Sequence, residues 1–212
     1  METIGILGLG KQTTLFYIKL LNETFSGDQS RYPFKIVNTN FEEINNLLPI
    51  PSKKLDNIVS SYVDMLLELK VDKILIPNIT LHETIDRLNI GNVIIHPVHI
   101  SIQEISKKGH EKIVLFGSLP TMKSNYIKSN FTKQNIKVLI PSEEDIQFVD
   151  DLRKQVYQET ETKKALENFN LIIKKYAQNN AVVIACTELS IALENQNTNI
   201  FDMARIQTKS IY

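Results

Sequence analysis

Three side chains able to handle protons stand together in "VVIACTELS": the thiol of Cys186, the hydroxyl of Thr187 and the carboxylate of Glu188. The thiol ends an apolar run and opens a helical pattern, so it is either a small core residue or a reagent at a strand end. Free helix N–H groups beside a thiol favour the thiolate, so a lowered pKa is expected for Cys186. A second segment, "ILIPNITLHE", has the same layout and carries Asn78, Thr80 and His82. An amide such as Asn78 is neither acid nor base near neutral pH. His82 is either an acid/base group or a first-turn residue bonded to backbone. Gly8 and Gly117 each end a further apolar run, with Thr14 after the first and Ser118 and Thr121 after the second. For Thr14, Thr121 and Thr187, contact with a substrate competes with helix capping. Glu188 suits a helix N-terminus by its charge, and Asp202 in "IFDMARI" meets either a substrate amine or a domain junction.

Other motifs fail on one residue each. "GILGLGKQ" nearly spells a phosphate-binding loop, but Gln12 stands where a hydroxyl must ligate magnesium. Gly8 and Gly10 begin a dinucleotide fingerprint, and Thr13 replaces its third glycine. The plainer reading is a tight turn whose free N–H groups receive a carboxylate. His96 and His99 flank Pro97 in what reads as an extended segment, with no acid or cysteine nearby to complete a metal site. No metal is expected.

Lys and Arg number 24, as do Asp and Glu, so nothing marks a surface for nucleic acid or an anionic membrane. The single cysteine excludes an intrachain disulfide and a multi-thiolate metal site. No apolar run approaches the roughly 18 residues that span a bilayer. "METIGILGLG" reads as a strand rather than an export signal. A cytoplasmic globular protein is expected.

The elements that must position these residues are legible as short Ile/Val/Leu runs: 4–7, 34–37, 73–76, 93–95, 113–116, 136–140 and 181–185, all read as strands buried on both faces. Leu55, Ile58, Val59, Tyr62, Val63, Leu66 and Leu67 repeat as one buried helix face does. Val149 to Tyr176 holds one long helix or two short ones. Alternating strands and helices predict an α/β fold with parallel sheets. The chain also repeats: Gly8 and Gly117 lie 109 residues apart, Asn78 and Cys186 lie 108 apart, each pair in similar surroundings. Two doubly wound halves follow, 1–96 with 200–212, and 97–199. Ligands of such sheets bind beyond the carboxyl ends of the strands, so the site is expected in a cleft between the halves.

"ACTELS" resembles the second catalytic segment of the aspartate/glutamate racemase family, enzymes that work without pyridoxal phosphate. "IGILGLGKQTTLFYIKLLNE", "ILIPNITLHE", "VLFGSLPTM" and "IFDMARI" resemble the family's opening turn, first catalytic segment, second glycine turn and C-terminal Asp segment. The resemblance implies two pseudo-symmetric α/β domains, a homodimer, no cofactor, and a small amino-acid or dicarboxylate substrate. It also implies that Cys186, Asn78 and His82 occupy the catalytic positions. Gly8, Thr14, Thr80, Ser118, Thr121, Thr187, Glu188 and Asp202 then fall where substrate is bound. The chain departs from the family at Asn78, which replaces the first cysteine, at Ile79, which replaces an asparagine, at Ser118, which replaces a threonine, and in a shorter opening turn.

Inverting a Cα centre needs a proton removed from one face and one returned to the other, and a thiol on each face does both. With one thiol, three readings stand. The first is a racemase with Cys186 on one face and His82, Thr80 or a water held by Asn78 on the other. The second is a lyase resembling arylmalonate decarboxylases, which needs only one proton donor. The third is a silent cleft that binds a small carboxylate. Ile79, read as apolar lining, favours the last two; Glu188, Asp202 and the threonines favour a polar acidic ligand.

Overall fold

The structure, a computed structural model, describes residues 2–24, 33–90, 92–194 and 198–211. Its elements run β1 (Ile4–Gly8), α1 (Lys11–Thr24), β2 (Phe34–Asn38), α2 (Phe41–Leu47), α3 (Lys53–Glu68), β3 (Lys73–Leu75), α4 (His82–Leu88), α5 (Pro97–Lys107) and β4 (Lys112–Gly117). They continue with α6 (Leu119–Lys123), α7 (Asn125–Thr132), β5 (Lys137–Leu139), α8 (Glu143–Gln158), α9 (Lys163–Ala177), β6 (Ala181–Ala185), α10 (Thr187–Ala192), β7 (Ile200–Asp202) and α11 (Met203–Lys209). This is the α/β fold with parallel sheets that the alternating pattern predicts.

Two units pack separately: the chain to His96 with the residues from Gln207 onward, and Pro97–Ile206. The first holds a parallel sheet ordered β2-β1-β3, the second a parallel sheet ordered β5-β4-β6-β7. In each, the first strand in sequence lies between the second and the third, so the repeat in sequence is a repeat of topology. Central position explains composition. β1 and β6 are buried along their whole length, as Ile, Leu, Val and Ala must be when helices cover both faces.

The edge strands depart from that expectation. β2 and β5 are only partly buried, because an edge strand has one neighbour and less cover. Residues 93–95 make no strand; Ile94 forms a single bridge to Ile74. The short run Ile200–Asp202 is a strand too short for its pattern to be read. It pairs with β6, placing Ile200 opposite Val182 and Asp202 opposite Ile184, and buries Phe201. Residues 200–206 therefore belong to the second unit rather than to the first, where the sequence reading puts them, because β6 would otherwise expose an open edge. Only from Gln207 does the chain return: its side chain accepts from Tyr17 Oη at 2.7 Å and donates to the Ile95 carbonyl at 2.5 Å.

Helix ends follow local chemistry. Ser52, Ser142 and Thr162 accept the Leu55, Asp145 and Ala165 N–H groups at the starts of α3, α8 and α9. The stretch 149–176 is two helices, parted where Glu159 takes φ 57° and Thr162 caps the next helix. On α3, Leu55, Val59, Val63 and Leu66 are buried as the spacing requires, while Leu67 falls off the stripe and is exposed. Pro97 opens α5 instead of lying in an extended segment; its fixed φ and missing N–H suit the first helical position.

Candidate active site

In the first unit, the ends of β1, β2 and β3 carry the polar residues. Gly8 is required by contact: a Cβ there would lie 2.5 Å from Asn38 Oδ1 and 3.2 Å from Asn38 Cα. Thr39 closes the same turn, donating from its N and Oγ1 to the Gly8 carbonyl at 3.1 and 2.9 Å. Gly10 takes φ 83° and releases the chain into α1. Thr14 Oγ1 donates to the Gly10 carbonyl at 2.7 Å, so its hydroxyl proton serves the helix. Among the described residues, the Lys11, Gln12 and Thr13 N–H groups have no backbone acceptor, which leaves this turn suited to an anion.

After β3, Asn78 organises the turn into α4. Its Oδ1 accepts the Leu81 N–H at 3.1 Å, and its carbonyl lies 2.9 Å from His82 Nδ1. A carbonyl only accepts, so the His82 proton sits on Nδ1. The His82 ring is fully buried and stands edge-on to His96, with ring centroids 4.7 Å apart. Of the two roles weighed for His82, this is the backbone-bonded one. Asp86 Oδ1 stands 3.4 Å from His96 Nε2, an acid that sequence spacing failed to place. Ile79 is 4% exposed and so adds no open apolar surface to the turn. Thr80 remains partly exposed, and no hydrogen bond engages its hydroxyl among the described residues.

In the second unit, β4 ends in Gly117, where a Cβ would lie 2.7 Å from Thr121 Cγ2 and 3.3 Å from the Ala185 carbonyl. Ser118 caps α6 by accepting the Thr121 N–H at 3.3 Å, and the two hydroxyls lie 2.8 Å apart. Asp150 on α8 takes the Leu119 N–H at 2.9 Å. Pro120 has no N–H, so the first turn of α6 is already satisfied and, unlike that of α1, has no donor left for an anion. Gly117→Ala is expected to destabilise the protein by about 1–3 kcal/mol through overpacking against Thr121, a loss read from urea unfolding midpoints.

β6 ends at Ala185, and Cys186 is the N-cap of α10 with extended backbone. Its thiol donates to Glu188 Oε2 at 2.9 Å. Burial and then the Glu188 carboxylate push the thiol well above its ordinary pKa, while Arg153 and the Leu189 N–H pull it down. The expectation of a depressed pKa is thereby reversed: loss of water and an adjacent negative charge outweigh a helix of only six residues. Glu188 is accordingly the thiol's acceptor, beyond any charge it lends the helix. Thr187 is the first helical residue rather than the cap, and its Oγ1 is buried with no partner among the described residues. A buried hydroxyl left over beside a thiol suits a ligand contact.

Asp202 is 4% exposed. Its Oδ1 accepts from Ser190 Oγ at 2.8 Å and the Ala204 and Arg205 N–H groups at 3.0 and 3.3 Å; its Oδ2 accepts from Arg205 Nε at 3.0 Å. Burial raises its pKa, against the lowering by Ser190 and Arg205. Here the carboxylate caps α11 and ties it to α10. Asp202→Ala is expected to cost about 3 kcal/mol or more in urea unfolding, because it strips a buried ion pair of its acceptor.

Sequence reasoning missed Arg153 and Asp150. Arg153 Nε donates to Asp150 Oδ1 at 3.1 Å, and the guanidinium lies near enough to Cys186 to lower its pKa. Both residues sit in "VDDLRKQ", where mixed charges carry no motif; only the burial of Asp150 separates it from Asp151.

The family model for Asp/Glu/hydantoin racemases matches residues 6–209. The chain belongs to this racemase family. Its members are isomerases, and the family's fold is the pair of parallel-sheet units seen here. An aspartate racemase homologue from Pyrococcus horikoshii superposes with TM-score 0.83 at 22% identity, covering 100% of this chain and 97% of that one. Aspartate racemase from Picrophilus torridus gives 0.79 at 18% identity, over 100% and 93%. Glutamate racemase from Francisella tularensis, solved with D-glutamate, gives 0.63 at 14% identity, over 100% and 80%. No curated protein matches the chain. Among the described residues of this family member, no helix is long and apolar enough to cross a membrane.

Proposed function

We propose that the protein is a cofactor-independent amino-acid racemase of the aspartate/glutamate type in which Cys186 moves the Cα proton on one face. The observation that carries this reading is the Cys186–Glu188 pair: a thiol at a strand end whose sulfur lies 2.9 Å from the carboxylate oxygen that accepts its proton. Glu188 takes the thiol proton, and the resulting thiolate removes the substrate's Cα proton; the reverse steps return one. Thr187 and Arg153 meet the substrate carboxylate, where negative charge grows as the Cα–H bond breaks. The family resemblance assigns the second proton transfer to the Asn78 segment, where Thr80 or a water held by Asn78 would carry it. His82 fixes the Asn78 turn from below, and Asp202 fixes α10. In the first unit the Gly8 turn is suited to an anionic group, with Thr14 bonded to Gly10; in the second unit Ser118 and Thr121 shape the corresponding turn after β4.

The test is proton NMR in D2O, following the Cα–H signal of each enantiomer of aspartate and glutamate, with chiral analysis of the same samples. Loss of signal with formation of the opposite enantiomer supports the racemase. Silence from all four substrates rejects it. The second reading, a one-thiol lyase, is favoured by the raised thiol pKa, because a resting thiol is a ready donor to a single face. Release of carbon dioxide from an arylmalonate would support it.

A further inference from the structure

Resting on the role proposed for Cys186, we infer that Asp150 is a positioning residue that holds the Arg153 guanidinium where its charge acts on the thiol and ties it to the turn after β4. Asp150 is a 3% exposed carboxylate on α8, which packs against both α6 and α10. One oxygen accepts from Leu119 N–H at 2.9 Å and Arg153 Nε at 3.1 Å; the other meets Lys154 Nζ at 2.8 Å. Burial opposes its ionisation, but the bonds from Lys154, Leu119 and Arg153 prevail and hold its pKa below the ordinary value. An ionised carboxylate this enclosed is kept only by its partners; Lys154 supplies charge from the surface, and Leu119 and Arg153 link it to the turn after β4 and to the thiol's surroundings. Leu119 opens the helix that carries Thr121. Arg153 supplies the positive charge at Cys186. The side chain of Arg153 has several rotatable bonds, and the Nε contact selects the rotamers that keep its charge near α10.

The charges that act on the thiol are Glu188 on α10, which accepts its proton, and Arg153 on α8, which is bonded to Asp150, whose other oxygen meets Lys154. Because the chain has one cysteine, alkylation by iodoacetamide followed by mass spectrometry reads Cys186 alone, without turnover. Arg153→Gln is expected to move the pH profile of alkylation upward and slow the reaction about three- to tenfold below its midpoint. In Asp150→Asn the Oδ1 that serves both Leu119 and Arg153 is retained but neutral, so the Arg153 contact loses its charge assistance, and the profile is expected to shift in the same direction as the guanidinium loosens. The double variant should move it no further than Arg153→Gln alone. Arg153→Lys, at a more exposed position and so safe for folding, should also shift it upward, since an ammonium lacks the Nε contact. A profile unmoved or lowered in Asp150→Asn, or a wild-type profile in Arg153→Lys, would overturn the inference. Absence of Cα–H exchange in the unsubstituted enzyme would instead reject the racemase reading and leave the alkylation result standing.

Discussion

Cys186→Ala is expected to abolish Cα–H exchange, lowering the rate by about 10³-fold or more, since a positioned acid/base group contributes on the order of 10²–10⁴. No other thiol in the chain can substitute. The cavity left by one sulfur is small, and the residue as a whole is half-buried even though its sulfur is shielded from water, so the unfolding midpoint should change little. Cys186→Ser separates chemistry from shape, because its hydroxyl keeps the geometry and a donor but is a far weaker acid than a thiol. Its exchange should fall nearly as far as in the alanine variant. Activity within about tenfold of the parent in either variant would remove the thiol from the mechanism and leave Cys186 a core residue.

Glu188→Gln should move two measurements in opposite directions. Removing the carboxylate takes away the second-largest cause of the raised thiol pKa, so the thiolate becomes easier to form. The pH profile of iodoacetamide alkylation should shift downward, and at a pH below the midpoint the reaction should be faster. Exchange of the substrate Cα–H should nonetheless fall about 10²-fold, because the amide cannot take the thiol proton. The sign follows from the causes: a group whose pKa is raised by a negative neighbour is lowered when that neighbour is made neutral. If Glu188 only favours the helix N-terminus, its loss should cost a few tenths of a kcal/mol in stability and leave exchange nearly intact. A fall in both measurements would mean that the introduced amide distorts the turn, and would count against the proton-acceptor role.

The two substitutions test different links. Cys186→Ala asks whether the strand end does chemistry at all; Glu188→Gln asks how the chemistry is tuned. The second matters more for mechanism, because the structure reverses the sign expected for the thiol. A helix N-terminus lowers a neighbouring pKa, and that effect alone is visible from sequence position. Dehydration of the sulfur and the 2.9 Å approach of Glu188 depend on how α10 lies under its neighbours.

The runs 4–7, 113–116 and 181–185 announced the central parallel strands, Ile4–Gly8, Lys112–Gly117 and Ala181–Ala185, because strands covered on both faces must be apolar throughout. The turns were legible too, since Gly8 and Gly117 stand where a Cβ would strike Asn38 and Thr121. The duplicated pattern, with Asn78 where Cys186 stands in the second copy, singled out the strand ends as the positions to test, because strand ends of parallel sheets face the ligand. Tertiary structure decided what those positions do. It assigned β7 to the second sheet, where a three-residue run carries too little periodicity to declare its partner. It bound His82 to the Asn78 carbonyl and spent Asp202 on Ser190 and Arg205. It set the charge of Arg153, 33 positions away in the chain, to act on the thiol. A residue's type limits the bonds it can make, and sequence shows type. Which bond it makes depends on burial and on neighbours distant along the chain, and only the packed fold supplies those.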